Sequence, residues 1–241
     1  MTMSRRTTIQ SLLAIAVTPA FLPLEGIAAE SRRLGVIGAG WLGGTVGRLW
    51  VRAGHEVMFS ARDLDRVRSD IAGLGEKAIA GTPQEAAEFG SILLFAVPYD
   101  ALPDLGRDLA ASLRGKIVLD ACNPAPAGDN ALTREAETLG VGLMSARLLP
   151  GTRLVRAFSA VDATAIEASA GRSAGKLGVP LAGDDEEAVQ VAAQLVRDAG
   201  CEPVIVGKLS AARSCQRGGP GFRANTSAPE LRRRLGLSND T

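Results

Sequence analysis

The 241-residue sequence has one histidine, three cysteines and only 4% aromatic residues. A single histidine, His55, excludes a histidine-rich metal site and any mechanism that needs two imidazoles. Cys122, Cys201 and Cys215 lie far apart, with no C-x-x-C spacing and too few thiols for a disulfide framework. A basic excess is also missing: 27 Lys and Arg stand against 26 Asp and Glu, a formal net charge of +1. That balance would not neutralise nucleic-acid phosphates, so no nucleic-acid partner is expected. No apolar run reaches the roughly 20 residues that span a bilayer. No Ser-His-Asp, Cys-His or paired-carboxylate constellation supplies a nucleophile or an acid–base pair. Glycine, by contrast, is abundant at 28 residues, as suits an α/β chain with many tight strand-to-helix turns.

The first 29 residues read as an address. Ser4-Arg5-Arg6 precedes an apolar stretch from Leu12 to Leu22, and small residues follow at Gly26-Ile27-Ala28-Ala29. That order describes a signal peptide. The paired arginines resemble the twin-arginine export signal, although Thr8-Ile9 stands where Phe-Leu is usual. The expected location is the periplasm, with an ordinary export signal or a cytoplasmic protein with a mis-chosen start as alternatives. Cleavage near Ala29 would remove Arg5, Arg6 and Glu25, leaving a net charge of zero and no membrane span.

From Arg33 on, strand and helix patterns alternate. Strands are expected at 33–38, 56–60, 78–80, 91–96 and 116–120. Helices are expected at 42–53, 64–74, 82–89 and 101–113, from apolar residues at helical spacing and from Thr82 as a cap. The run Ser91–Ala96 is apolar on both faces, as a central parallel strand should be. The alternation implies an α/β Rossmann-type doubly wound parallel sheet. After Asn123 the pattern loosens into a loop with Pro124, Pro126 and Gly128. Further strands are expected at 154–158, 179–182 and 203–206, a helix from Asp184 to Ala199, and an irregular basic tail after 217. The organisation expected is a signal at 1–29, a nucleotide-binding domain at 30–145 and a smaller α/β segment at 146–241. The acids Asp184 to Glu187 read as a helix cap with favourable charge at the positive end of the helix dipole, not as a metal site.

Gly38-Ala39-Gly40-Trp41-Leu42-Gly43 is G-x-G-x-x-G between a strand and a helix. In that context Gly38 permits the tight turn, Gly40 lets the backbone approach a pyrophosphate, and Gly43 allows close helix–strand packing. The helix N-terminus then offers unpaired N–H groups to phosphates. An NAD site would carry an acid at the end of the second strand; here stand Ser60, Ala61 and Arg62, with Arg66 one turn on. Serine and arginines would hold a ribose 2′-phosphate, so the pattern favours NADP over NAD. His55, in a helix-to-strand turn on the far edge, reads as a solvated or backbone-bonded residue.

With these residues in place, the chain resembles the deazaflavin (coenzyme F-420)-dependent NADP reductases and the related NADPH-binding domains of membrane ferric reductases. The resemblance runs from about Arg33 to Arg213. It rests on the glycine loop, Gly54-His55-Glu56-Val57, Arg62 and Arg66, Val97-Pro98, Asp120 to Pro124, Val179-Pro180, Gly183-Asp184-Asp185 and Leu209 to Arg213. It implies an NADP site of Ala39, Gly40, Trp41, Leu42, Arg62 and Arg66, with Val97 and Pro98 on the nicotinamide side. It further implies that Asn123, Phe158, Ser159, Leu209 and Ser210 hold the ring of a second cofactor. The chain departs from the family pattern at Ala61, where a serine is usual, at Ser159, where some members have histidine, and in the tail from Gln216.

The expected activity is therefore hydride transfer between NADPH and a deazaflavin or flavin acceptor, a small-molecule redox co-substrate; a homodimer is compatible with this. Such a reaction needs neither nucleophile nor metal, because the cofactors carry the chemistry and the protein aligns them. The alternative is a non-catalytic NADP-binding redox sensor or partner subunit. A small-substrate dehydrogenase would want a Lys, His or Asp proton donor near Asn123, and none stands out.

Overall fold

A computed structural model describes residues 31–125 and 130–238. The expected signal peptide, and Pro126 and Gly128 of the expected loop, lie outside these residues. Eight strands form one sheet, in the spatial order third, second, first, fourth, then fifth to eighth. The strands are β1 (Arg33–Ile37), β2 (Glu56–Ser60), β3 (Ala78–Gly81), β4 (Ile92–Phe95), β5 (Ile117–Asp120), β6 (Arg153–Arg156), β7 (Gly178–Gly183) and β8 (Glu202–Gly207). From β3 through β6 all neighbours are parallel. The chain winds outward from β1 to β3, then returns to place β4 on the other side of β1. That reversal opens a crevice at the carboxyl ends of β1 and β4, where doubly wound sheets bind ligands.

The central strands are buried on both faces. Ile92 and Leu94 of β4 face one core, Leu93 and Phe95 the other, as period-two geometry requires. Over the first face lie α1 (Trp41–Arg52), α2 (Leu64–Ile71), α8 (Ala163–Ala170) and α9 (Glu186–Asp198). Over the second lie α3 (Pro83–Phe89), α4 (Leu102–Asp108), α5 (Ala110–Leu113), α6 (Ala131–Leu139) and α7 (Val141–Leu148). The buried Trp50 of α1 donates its indole N–H to the Leu195 carbonyl of α9 at 2.8 Å, locking the first helix to the C-terminal half.

Three expectations need correction. The helix expected over 101–113 is broken at Leu109 (φ −97°, ψ 5°) into α4 and α5. Gly106 lies so close to α7 that a Cβ there would meet the Leu148 carbonyl at 1.9 Å. The loose stretch after Asn123 holds α6, capped by the Asn130 side chain on the Thr133 N–H at 2.7 Å, and α7, entered through Gly140 at φ +100°. The tail is ordered as α10 (Ala228–Leu235), whose Ala228 and Leu231 pack on Val204 of β8 while its arginines stay outside. Also unforeseen are α8 and the direction of β7, which runs antiparallel to β6.

The acids before α9 behave as expected and gain a partner. Asp185 caps the helix, accepting the Ala188 N–H at 2.9 Å, and Arg153 grips the same carboxylate through Nε and Nη2 at 2.6 and 2.7 Å. Hydrogen bonds from Arg153 and from the Ala188 backbone bring the Asp185 carboxyl down to about 2. A depressed folded-state pKa contributes stability above the unfolded value, near 4, that disappears as pH falls through the folded one. Asp185→Asn should therefore flatten the fall in Tm between about pH 4 and pH 2. An unchanged slope in thermal melts across that window would remove the carboxylate from the acid response.

His55 is buried at 1% exposure. Its Nδ1 accepts the Arg32 N–H at 3.2 Å, which fixes the proton on Nε2, and Nε2 donates to Asp198 at 3.0 Å. It staples α9 to the turn before β2, at the opposite end of that strand from the crevice.

Candidate functional site

The glycine loop is built by hydrogen bonds from β2. The Ser60 carbonyl accepts the N–H groups of Gly38 and Ala39 at 2.9 and 2.8 Å. Gly38 has φ +101°, and a Cβ there would meet the Ala96 carbonyl at 2.5 Å and Val97 at 2.7 Å. A Cβ at Gly43 would stand 2.2 Å from the Gly38 carbonyl, so this glycine brings α1 down onto the loop. Gly40 is different. It is exposed, a Cβ there would meet nothing within 4 Å, and no side chain caps the helix behind it. The fold does not need glycine at 40, but a phosphate seated on the first N–H groups of α1 does, because a side chain there would fill its place.

A cleft of about 590 Å³ opens from this loop along the carboxyl ends of β1, β2 and β4. Its walls include Gly38, Gly40, Ala61, Arg62, Val97 and Pro98. Arg62 stands exposed at the rim and makes no ion pair among the described residues. Arg66 lies one turn further along α2 and does not line this cleft; it is 3.6 Å from Asp70, with 73% of its side chain exposed. Trp41 is 71% exposed beside the loop, and Leu42 turns into the first core. Ser60 lines the cleft, but its hydroxyl is buried and donates to the Val36 carbonyl at 2.9 Å. In this geometry Ser60 anchors β2 to β1 and offers no donor to a phosphate.

The residues expected around a second ring divide. Asn123 borders a cavity of about 180 Å³ with Pro124, Val141, Gln216 and Arg217. Both ends of its amide are engaged: Oδ1 accepts from Arg156 at 2.9 Å and Nδ2 donates to the Ser159 carbonyl at 2.7 Å. Phe158 does not face a cavity. It has φ +59° and 0% exposure, and its ring meets Trp50 edge-on at 6.2 Å. Leu209 is buried in the second core with its N–H on Asp184 at 3.1 Å, while Ser210 is exposed and lines none of these cavities.

Sequence reading missed the group that organises this end of the sheet. Arg156 Nη1 reaches Asp120 at 2.5 Å and the Cys122 carbonyl at 2.6 Å, with the two side chains 4% and 0% exposed. Asp120 in turn accepts the Cys122 N–H at 2.9 Å. The register sets Asp120 opposite Arg156 on adjacent strands. One acid and one base, each closing an apolar strand run, were the signal that could have found the pair. Burial pushes the Cys122 thiol well up and the Tyr99 hydroxyl to about 12, so both stay protonated at neutral pH. Among the described residues no cluster of three metal-ligating side chains occurs, and no helix is long and apolar enough to cross a membrane.

Residues 33–124 match the family model described as NADP oxidoreductase, coenzyme F-420-dependent. That stretch takes in the glycine loop, Arg62, Arg66 and Asn123. The chain is also similar to the metalloreductase STEAP3 of Rattus norvegicus, 25% identical over 193 residues, covering 80% of this chain and 37% of that one. It thus spans little more than a third of that relative's length. Among solved structures it is similar to a hypothetical protein of Sinorhizobium meliloti, with a TM-score of 0.68, 25% identity, and coverage of 81% and 95% of the two chains. It shares its fold with a proposed F-420-dependent NADP reductase of Arthrobacter sp. FB24, with a TM-score of 0.65, 20% identity, and coverage of 87% and 97%. Residues 33–124, which carry the glycine loop, are thus similar to an NADP-oxidoreductase family, on a fold shared with the solved structures.

Proposed function

We propose that this chain is an oxidoreductase that uses NADP(H) and passes the hydride to a flat flavin or deazaflavin acceptor. The observation that carries the reading is the join of two features at one crevice. Gly40 leaves open space over an uncapped helix N-terminus, and Arg62, with no ion pair among the described residues, stands at the rim where an NAD site would need an acid.

Bound NADP(H) supplies the hydride. The chain's own part is binding, orientation and exclusion of water. The first turn of α1 would hold the pyrophosphate, and Arg62 and Arg66 the ribose 2′-phosphate. Val97 and Pro98 offer an apolar wall to the cleft that Arg62 also borders. Asn123, its amide fixed by Arg156 and Ser159, would present a rigid edge to the reacting rings. No side chain there needs to take or give a proton.

The arginine pair makes the reading testable by calorimetry. Arg62→Ala and Arg66→Ala should each weaken NADPH binding by roughly tenfold, from loss of a charge-assisted phosphate contact, and leave NADH untouched. Equal losses for both nucleotides would remove the 2′-phosphate role. Steady-state NADPH oxidation with deazaflavin, flavin and ferric chelate as acceptors tests the reaction itself.

A non-catalytic NADP-binding module is the second reading. The burial of Phe158 and Leu209 favours it, since both were expected to frame the second ring. Tight NADPH binding with no acceptor-dependent oxidation would decide for the module.

A further inference from the structure

A second cleft lies behind the glycine loop, between α1 and α2, with a volume of about 360 Å³. Gly40 borders both this cleft and the larger one. Trp41, Gly44 and Arg48 line it from α1, at positions i, i+3 and i+7 and therefore on one helix face. Arg66 and Asp70 line it from α2. Phe59, Val67 and Ile71 add apolar wall, which weakens water screening of any charge held there.

Arg48 is aimed at this space. Helical side chains lean toward the N-terminus, and its guanidinium lies back over Gly44, where a Cβ would come within 3.2 Å of Nη1. Nη2 donates to the Thr45 hydroxyl at 3.2 Å, which fixes the orientation. Arg48 has no carboxylate partner among the described residues. Asp70, the carboxylate on the cleft wall, sits 3.6 Å from Arg66, too long for a hydrogen bond. Two guanidiniums from two helices thus face one cleft that begins at the phosphate-binding loop, and neither is tightly neutralised.

We propose that Arg48 is a specificity-determining residue. With Arg66 it closes a pocket for the phosphate on the adenosine ribose and so adds to the preference for NADP over NAD. This rests on the nucleotide site proposed above and extends it to a residue two turns into α1. Arg48 would contribute a charge-assisted contact to phosphate and nothing to the unphosphorylated ribose.

The test is calorimetric titration of the full chain with NADPH, NADH, adenosine 2′,5′-bisphosphate and AMP, for the wild type, Arg48→Ala, Arg48→Lys and Arg62→Ala. Arg48→Ala should weaken NADPH and the bisphosphate by about tenfold while NADH and AMP hold their affinities. Arg48→Lys should recover part of the loss, because the charge remains and the fork geometry does not. Raising salt should shrink the difference between Arg48→Ala and wild type. The proposal is overturned if Arg48→Ala weakens all four ligands alike, or weakens none while Arg62→Ala still lowers NADPH affinity. A wild-type chain that binds neither NADPH nor NADH would overturn the underlying nucleotide site instead.

Discussion

Arg156→Ala should lower the unfolding free energy by about 3–5 kcal/mol, the usual cost of removing one partner of a buried ion pair. Asp120 has no exposure, and its remaining contact would be the Cys122 N–H. Alanine would leave a carboxylate under the sheet with neither water nor a countercharge. The loss matters because domains of this kind are stable by only about 5–15 kcal/mol. Urea unfolding would measure it directly. The paired replacement Asp120→Leu with Arg156→Leu should cost far less than the two single changes added together, since it removes both charges at once. Additive losses would mean that the two groups do not depend on each other. The substitution has a second readout: Asn123 loses the donor to its Oδ1, so acceptor-dependent turnover should fall even where NADPH affinity persists.

That pair also shows where the sequence was legible and where it was not. The outline from Arg33 to Asp120 could be read because the strands there carry apolar residues on both faces and α1, α2 and α3 each follow a glycine or a side-chain cap. Thr82 and Glu85, for instance, form the reciprocal cap that the spacing suggests. The glycine loop was legible for the same reason: its residues answer to local backbone geometry. Beyond Asn123 the determinants are tertiary. Helix α7 follows α6 with only Gly140 between them, so no loop composition marks the break. Phe158 is expected at a second ring only through the family resemblance, and an aromatic after a strand looks the same whether it faces a ligand or Trp50. Its left-handed backbone and its burial against Trp50 have no sequence signal in a phenylalanine. Ser60 carries the same ambiguity, since a hydroxyl at a strand end can serve a phosphate or a neighbouring carbonyl with equal ease, and here it bonds the Val36 carbonyl. Arg48 carries no signal of its own, because a basic residue on a helix face ordinarily reads as solvated charge, and only the approach of α2 turns that face into a cleft.

Gly40→Val should all but abolish NADPH binding, by about 100-fold or more, while leaving the fold intact. Position 40 has φ −76° and ψ −159°, an extended conformation open to valine, and a Cβ there would touch no protein atom. Its glycine makes no side-chain cap, so valine forfeits little at the helix start. What valine would occupy is the space over the first N–H groups of α1, and bulk there would hold a pyrophosphate off its donors. Gly43→Ala provides the contrast. Its Cβ would press to 2.2 Å from the Gly38 carbonyl, so the loop and α1 must part before any ligand is considered. The expected pattern is a wild-type Tm with lost binding for Gly40→Val, and a lowered Tm for Gly43→Ala. If Gly40→Val retained wild-type NADPH affinity, the glycine would be idle and the cleft would not be a dinucleotide site. If it lost both Tm and binding, the open space at Gly40 would be a demand of the fold, and the main observation behind the nucleotide assignment would fall with it.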